Sequence, residues 1–351
     1  MSEQAANTQY TGRQIRERVD HLPRVPIAHL PTALEEMPRL REALGPNAPR
    51  LLVKREDQTG LALGGNKVRH LEFRLGDIQR KGADTLIVTN VAQSNHARLH
   101  TALAARFGMT TYILKIPSPK DDPVNGNLLL DHIMGAEIVE CSSDDQETVD
   151  RELDELVERL EAGGRSVYIV PREPFSKIAG TCGYTLTALE LMDQLDELAV
   201  SPSHIFMAAG TSSAGLALAG KALGLPYRVH PISVKQPRAE LEEHICTVAN
   251  KAAELLELET RLTPEDIDVH DEFVGAGYGI ATDAGMEAMR MAGRLEGLIL
   301  DPVYTAKALS ALISQIRDGS ITRDQPAIFV HTGGLPITFA YSDEIMREMR
   351  S

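Results

Sequence analysis

Gly64-Gly65-Asn66-Lys67 opens a stretch in which Val68, Leu71, Leu75 and Ile78 recur at helical spacing. Glycines let a backbone approach a ligand closely. A lysine that is desolvated or set beside other cations loses its proton and can attack a carbonyl carbon. The plain alternative is a solvated lysine on a first helical turn, where the helix dipole disfavours a cation. Gln93-Ser94-Asn95-His96 begins another helical stretch, with Ser94 placed as its cap. Exposed N–H groups there, with the side chains of Ser94, Asn95 and His96, suit a carboxylate, or they serve capping alone. His96 shows no sequence partner for acid/base work.

Residues 208–215 read AAGTSSAG between an apolar strand and a helix. Backbone N–H groups at a helix start, with hydroxyls from Thr211, Ser212 and Ser213, make a cradle for a phosphate. The competing reading is that Gly210, Ala214 and Gly215 permit close packing while a hydroxyl caps the helix. Neither GxxxxGK[ST] nor GxGxxG is present, which disfavours nucleotide binding in those forms. Tyr278 and Tyr304 sit in turns flanked by glycine or proline and offer phenolic protons, or they simply pack. Thr332 ends an apolar strand in His331-Thr332-Gly333-Gly334, where its hydroxyl meets either a ring nitrogen or local backbone.

The elements that must position these residues alternate along the chain. Strands are expected at 50–54, 85–89, 111–116, 137–140, 166–170, 204–207, 227–234 and 327–331. Helices are expected at 67–81, 94–107, 126–134, 146–160, 178–195, 213–223, 238–258, 283–295 and 305–317. The stretch 22–49, with six prolines, reads as an extended segment interrupted by one short helix, after a polar leader that ends near Arg13. Such alternation predicts an α/β protein with mostly parallel sheets flanked by helices, and ligands lie beyond the carboxyl ends of the strands. At 351 residues the chain has room for two domains. The expected division is a large domain, 1–79 with 196–351, and a small inserted domain, 80–195.

Composition narrows the function classes. With 36 basic and 50 acidic residues the formal charge is −14, so a phosphate must be gripped locally and nucleic acid is not an expected partner. Cys141, Cys182 and Cys246 form no CxxC pair, which points to a reducing compartment without a structural zinc site. No signal-peptide core and no run of about 18 apolar residues occurs, so the expectation is a cytoplasmic protein without a membrane partner.

Taken together and in order, LPTALEEMPRL, GGNKVRHLEF, QSNHAR, GYGIATDAGMEAMR, EGLILDPVYTAKAL and HTGGLP resemble fold-type II pyridoxal-phosphate enzymes, tryptophan synthase β-like in architecture. Within them the resemblance is to the D-cysteine desulfhydrase and 1-aminocyclopropane-1-carboxylate deaminase group, and it spans nearly the whole chain. It implies pyridoxal 5'-phosphate as cofactor, Lys67 as Schiff-base lysine, Asn95 at the ring hydroxyl, and Gly210, Thr211, Ser212, Ser213, Ala214 and Gly215 around the phosphate. It also implies Thr332, with Thr305 nearby, at the pyridine nitrogen. Ser94, Asn95 and His96 would receive a small amino-acid substrate that Tyr278 and Tyr304 face. Relatives are commonly homodimers, so a homodimer is expected.

Thr305 stands where the cyclopropane-opening deaminases carry a glutamate, and a hydroxyl need not keep the pyridine protonated as a carboxylate does. The implied activity is therefore α,β-elimination, desulfhydrase-like, releasing a 2-oxo acid and ammonia. A cyclopropane-carboxylate deaminase, a racemase, a dehydratase and a non-catalytic cofactor-binding protein are the alternatives. Three departures from the family pattern stand out: AAGTSSAG in place of a glycine-richer loop, His70 where relatives carry a second lysine, and Pro171-Arg172-Glu173-Pro174-Phe175-Ser176-Lys177 in place of Pro-x-Gly-Gly-Ser-Asn. The last suggests a substrate with an acidic side chain, met by Arg172, Lys177 or His100, rather than D-cysteine.

Overall fold

The computed structural model describes residues 9–118, 120–121 and 123–350. Its strands are β1 (Leu34–Glu36), β2 (Leu51–Lys54), β3 (Thr85–Val91), β4 (Thr110–Ile116), β5 (Glu137–Glu140), β6 (Val167–Ile169), β7 (His204–Ala208), β8 (Arg228–Ile232) and β9 (Ala327–Val330). The chain divides into two compact units. The first comprises Met1–Leu22, Leu30–Glu56 and Ile178–Thr332, and the second comprises Pro23–His29, Asp57–Lys177 and Gly333–Ser351.

In the first unit the sheet runs β1-β2-β9-β7-β8, with only β1 antiparallel to its neighbour. Every residue of β2 and β9 is buried, as expected of parallel strands covered on both faces. Lys54, at the end of β2, is buried with them and is satisfied by Thr32 O at 2.8 Å, Gln194 Oε1 at 2.7 Å and an ion pair with Glu190. A buried ammonium demands such partners. The polar leader, whose first eight residues lie outside the described ones, runs into helix Gly12–Asp20, which opens with a Thr11–Gln14 capping box.

The second unit holds a fully parallel sheet ordered β5-β4-β3-β6. One face packs Leu86, Val88 and Ile113 against Val68, Leu71, Leu75 and Ile78 of helix Lys67–Lys81 and Leu99 and Leu103 of helix Asn95–Arg106. The other packs Ile87 and Leu114 against Val149, Leu153, Leu156 and Leu160 of helix Gln146–Ala162. Helix Lys67–Lys81 stops where expected because Gly82 adopts φ +65°, a left-handed C-cap. Helix Pro174–Glu197 starts four residues earlier than the apolar spacing suggests, so Ser176 and Lys177 lie in its first turn.

Candidate active site

In the second unit Lys67 is the first residue of its helix, with Nζ 3.5 Å from Asn66 Oδ1. The loop before it is pinned. A Cβ on Gly64, at φ +67°, would lie 2.0 Å from Asp57 O, and one on Gly333 would lie 2.7 Å from Gly65 Cα. Arg98, fully buried in helix Asn95–Arg106, donates to Ala62 O at 2.5 Å and Gly64 O at 3.0 Å. One guanidinium thus fixes the turn that sets Lys67, a role that QSNHAR did not disclose as a string.

Ser94 caps that helix, its Oγ accepting from Ala97 N at 3.1 Å. Asn95 Oδ1 accepts from Asn127 Nδ2 at 3.0 Å, and Gln93 Oε1 accepts from Asn127 N at 2.9 Å. Nothing in Gly126-Asn127-Leu128 marked Asn127 beforehand. The His96 ring lies 4.2 Å from that of His100, tilted by 45°, and His100 Nδ1 faces His96 O at 2.7 Å while its Nε2 lies 3.2 Å from Arg74 Nη1. Burial, followed by neighbouring cations including Arg74 and Lys67, holds His70 and His96 well below the ordinary imidazole value and takes His100 down to about 3. These imidazoles are neutral hydrogen-bonding groups.

That neutrality, with His100 engaged by Arg74 and His96, removes His100 as a receptor for an acidic side chain. Arg172 is ion-paired with Asp154 and donates to Asp150 O, on the exposed side of helix Gln146–Ala162, and Lys177 is exposed. Of the three residues expected to meet an acidic side chain, Arg172 and His100 thus have nearer partners and Lys177 stands at the surface.

In the first unit Gly210 is the N-cap of helix Thr211–Leu223 at φ +147°, a conformation open to glycine. Ser213 Oγ donates to Gly210 O at 2.7 Å and accepts from Gly210 N at 3.1 Å, so this hydroxyl is spent within the turn. Ser212 is buried beside it, and Thr211 O accepts from Thr181 Oγ1 at 3.1 Å. A Cβ on Gly215 would lie 2.4 Å from Thr181 O, so Ala214 and Gly215 sit where helix packing demands small residues. Cap, packing and first-turn N–H groups coexist in one loop.

Tyr278 and Tyr304 are brought together, their hydroxyls 2.5 Å apart and their rings edge to face at 6.2 Å. Burial raises the Tyr278 phenol despite the pull of Tyr304. Asp301 Oδ1 accepts from Val303 N at 2.9 Å and Tyr304 N at 2.8 Å, fixing the turn that presents Tyr304. Thr305 is wholly buried beside Asp301, and Thr332 follows β9 after His331, whose Nε2 is 3.0 Å from Ile299 O.

The second unit carries a lysine on a glycine-pinned turn and a carboxamide held at its oxygen, and the first carries a glycine-capped helix start and paired phenols, each on a mostly parallel sheet of an α/β protein. The chain belongs to the pyridoxal-phosphate dependent enzyme family, whose model matches residues 25–333. It is 39% identical over 330 residues to D-cysteine desulfhydrase of Salmonella schwarzengrund, covering 92% of this chain and 97% of that protein. It is 38% identical over the same shares to the Salmonella typhi protein of that name. A crystal structure of an ACC deaminase homologue matches with a TM-score of 0.85 at 30% identity, covering 95% of this chain and 99% of the other. Threonine deaminase isoform 2 of Solanum lycopersicum shares the fold at a TM-score of 0.64 and 15% identity, covering 97% and 90%. The fold is that of the fold-type II pyridoxal-phosphate enzymes, and this chain is a pyridoxal-phosphate dependent lyase.

The residues present fit that cofactor. With Asn95 Oδ1 held by Asn127, its Nδ2 is left to donate, as a ring phenolate oxygen requires. The Gly210 cap leaves its turn without a side chain, and a Cβ there would meet no atom within 4 Å.

Proposed function

We propose that this enzyme performs α,β-elimination on a small amino acid with a β-leaving group, D-cysteine first, by D-cysteine + H2O → pyruvate + NH3 + H2S. The observation that carries the reading is the 39% identity to D-cysteine desulfhydrase across 92% of the chain. The engagement of Arg172 by Asp154 supports it, since an acidic substrate loses its expected partner.

When bound, pyridoxal phosphate supplies an electron sink for charge developed at the substrate Cα. Lys67 is the amine that holds the cofactor and, once released, the base that takes the Cα proton. Asn95 donates to the ring hydroxyl, and the turn Gly210–Gly215 receives the phosphate on its N–H groups. Ser94, His96 and the start of helix Asn95–Arg106 receive the substrate carboxylate, aided by the helix dipole. Tyr278 and Tyr304 share one hydrogen bond between their hydroxyls, and the one that accepts it keeps its own proton to pass to a departing sulfur. Thr332 and Thr305 would lie toward the ring nitrogen.

We place the enzyme in the cytoplasm as a homodimer. Support comes from three buried free cysteines and from the resemblance to homodimeric relatives. No helix among the described residues is long and apolar enough to cross a membrane.

The test is borohydride reduction of the purified enzyme with peptide mapping, followed by assay of D-cysteine, L-cysteine, β-chloro-D-alanine, 3-hydroxyaspartate and 1-aminocyclopropane-1-carboxylate. A pyridoxyl group on Lys67 and fastest sulfide release from D-cysteine are expected. An adduct elsewhere overturns the lysine, and faster turnover of 3-hydroxyaspartate overturns the substrate.

A further inference from the structure

Away from the residues assigned above, one face of the first unit's sheet gathers imidazoles and a carboxylate. The segment 268–270 runs beside β8 as an added parallel edge: Asp268 N donates to Val229 O at 3.2 Å, His270 N to Pro231 O at 3.1 Å, and Ser233 N to His270 O at 2.8 Å. His204 on β7 and His230 on β8 lie across from it, with Phe206 stacked on His230 at 4.3 Å. These histidines are 26 and 40 residues apart in sequence, so no ligand spacing announces them.

We propose that His230, Asp268 and His270 form a binding site for a divalent transition-metal ion of the zinc type. His230 Nδ1, His270 Nε2 and Asp268 Oδ2 make a triangle with edges of 3.2, 3.4 and 3.6 Å. Ligand atoms about 2.0–2.1 Å from a tetrahedral metal stand about 3.3–3.4 Å from one another, and two histidines with one carboxylate are a common zinc set that leaves a fourth position for water. The triangle already has the dimensions that a metal imposes.

Each of the three side chains is also oriented from behind. His270 Nδ1 faces Glu272 Oε1 at 2.8 Å, which places that ring's proton on Nδ1 and its lone pair at Nε2, inside the triangle. His230 Nε2 lies 2.9 Å from His204 Nδ1, so a proton on His230 Nε2 leaves the Nδ1 lone pair inward. Asp268 Oδ1 is 3.5 Å from Arg238 Nη2, leaving Oδ2 for the ion. Outer-sphere partners of this type fix tautomer and ring direction in metal sites. Two inward lone pairs 3.2 Å apart need a cation or a proton between them. Gln315 Nε2, 3.1 Å from His270 Nε2, donates into the same space and is the group an ion displaces. His230 is buried, whereas Asp268 is about one-third exposed, so the ion has a route from solvent.

The test is titration of chelator-treated, cofactor-loaded enzyme with Co2+, read by its visible ligand-field bands, and displacement by Zn2+. One Co2+ per chain with tetrahedral band intensity is expected. Asp268→Asn and His270→Gln, both at partly exposed positions, should each weaken Co2+ binding by at least about 100-fold while keeping the metal-free melting temperature near that of the parent. Glu272→Gln, which leaves every ligand in place, should weaken it by about 10- to 100-fold. Absence of bands in the parent, or affinity unchanged in Asp268→Asn and His270→Gln, overturns the site and leaves a hydrogen-bonded histidine cluster.

Discussion

Thr305 Oγ1 donates its only proton to Asp301 Oδ2 at 2.7 Å and accepts from Asp301 N at 2.8 Å. Both groups are wholly buried, and the Asp301 carboxylate also takes the N–H groups of Val303, Tyr304 and Thr305. With its proton committed, the Thr305 hydroxyl retains acceptor capacity only. Asp301→Ala strips the partners from four buried donors and should destabilise the protein by about 2–4 kcal/mol, measured by urea unfolding. Thr305→Ser, which keeps the oxygen, should stay within about 1 kcal/mol of the parent.

Because the Tyr278 and Tyr304 hydroxyls share a single hydrogen bond, their losses should not add. Tyr278→Phe and Tyr304→Phe are each expected to lower kcat/KM for D-cysteine by about 10- to 100-fold, equivalent to about 1.4–2.7 kcal/mol. The double variant should fall within about threefold of the worse single one. Multiplicative losses in the steady-state kinetics would mean that the two phenols act separately.

Arg98→Lys keeps the charge but cannot reach two carbonyls at once. The turn leading to Lys67 should loosen, with about a 10-fold weaker retention of pyridoxal phosphate in equilibrium dialysis and a melting point lowered by several degrees.

Acid should unfold the protein earlier than its carboxylates alone would dictate. His70, His96 and His100 stay neutral when folded but titrate near pH 6.5 when unfolded. Their contribution to stability is present above about pH 6.5 and is lost as the pH falls toward the depressed folded values, because the unfolded state binds the extra protons. The slope for three such groups reaches about 4 kcal/mol per pH unit. Urea midpoints measured from pH 8 to pH 5 should therefore fall steadily; a flat profile contradicts the depressed values.

Asp131 works with the opposite sign. It is fully buried, and burial raises its carboxyl to about 7 against a hydrogen-bonding pull from Thr101 and the charge of Arg98. The folded form holds its proton where the unfolded chain has released it, so stability is lost as pH rises from about 4 through 7. Asp131→Asn should stabilise the protein at pH 8 by about 2–4 kcal/mol and give no gain below about pH 4, by thermal or urea unfolding.

Elements whose own residues specify them were legible in the sequence. Lys67–Lys81 carries its apolar face and its Gly82 stop locally, and the β9 run is apolar without interruption. The short β1, with no apolar alternation, was not expected as a strand; it exists through its antiparallel pairing with β2. The last two helices, Leu335–Ala340 and Ser342–Arg350, lie beyond the last element that spacing assigned. At the site, types and order singled out Lys67, Ser94, Asn95, Tyr278 and Tyr304. Arg98, Asn127 and Asp301 escaped because each acts on backbone or amide groups that only the folded chain brings within reach.

The chain passes from one unit to the other five times, and β2 pairs with β9 across some 270 residues of intervening sequence. The strands of the second unit's sheet all lie within Asp57–Lys177, but the first unit's sheet cannot close without bridging that insertion, so loop-closure entropy must be overcome before the β2–β9 pairing that offsets it. Expressing Ile178–Thr332 alone would leave β9 with an open edge where β2 pairs, so splitting or permuting this enzyme will succeed only at cuts that keep Leu30–Glu56 and Ile178–Thr332 together.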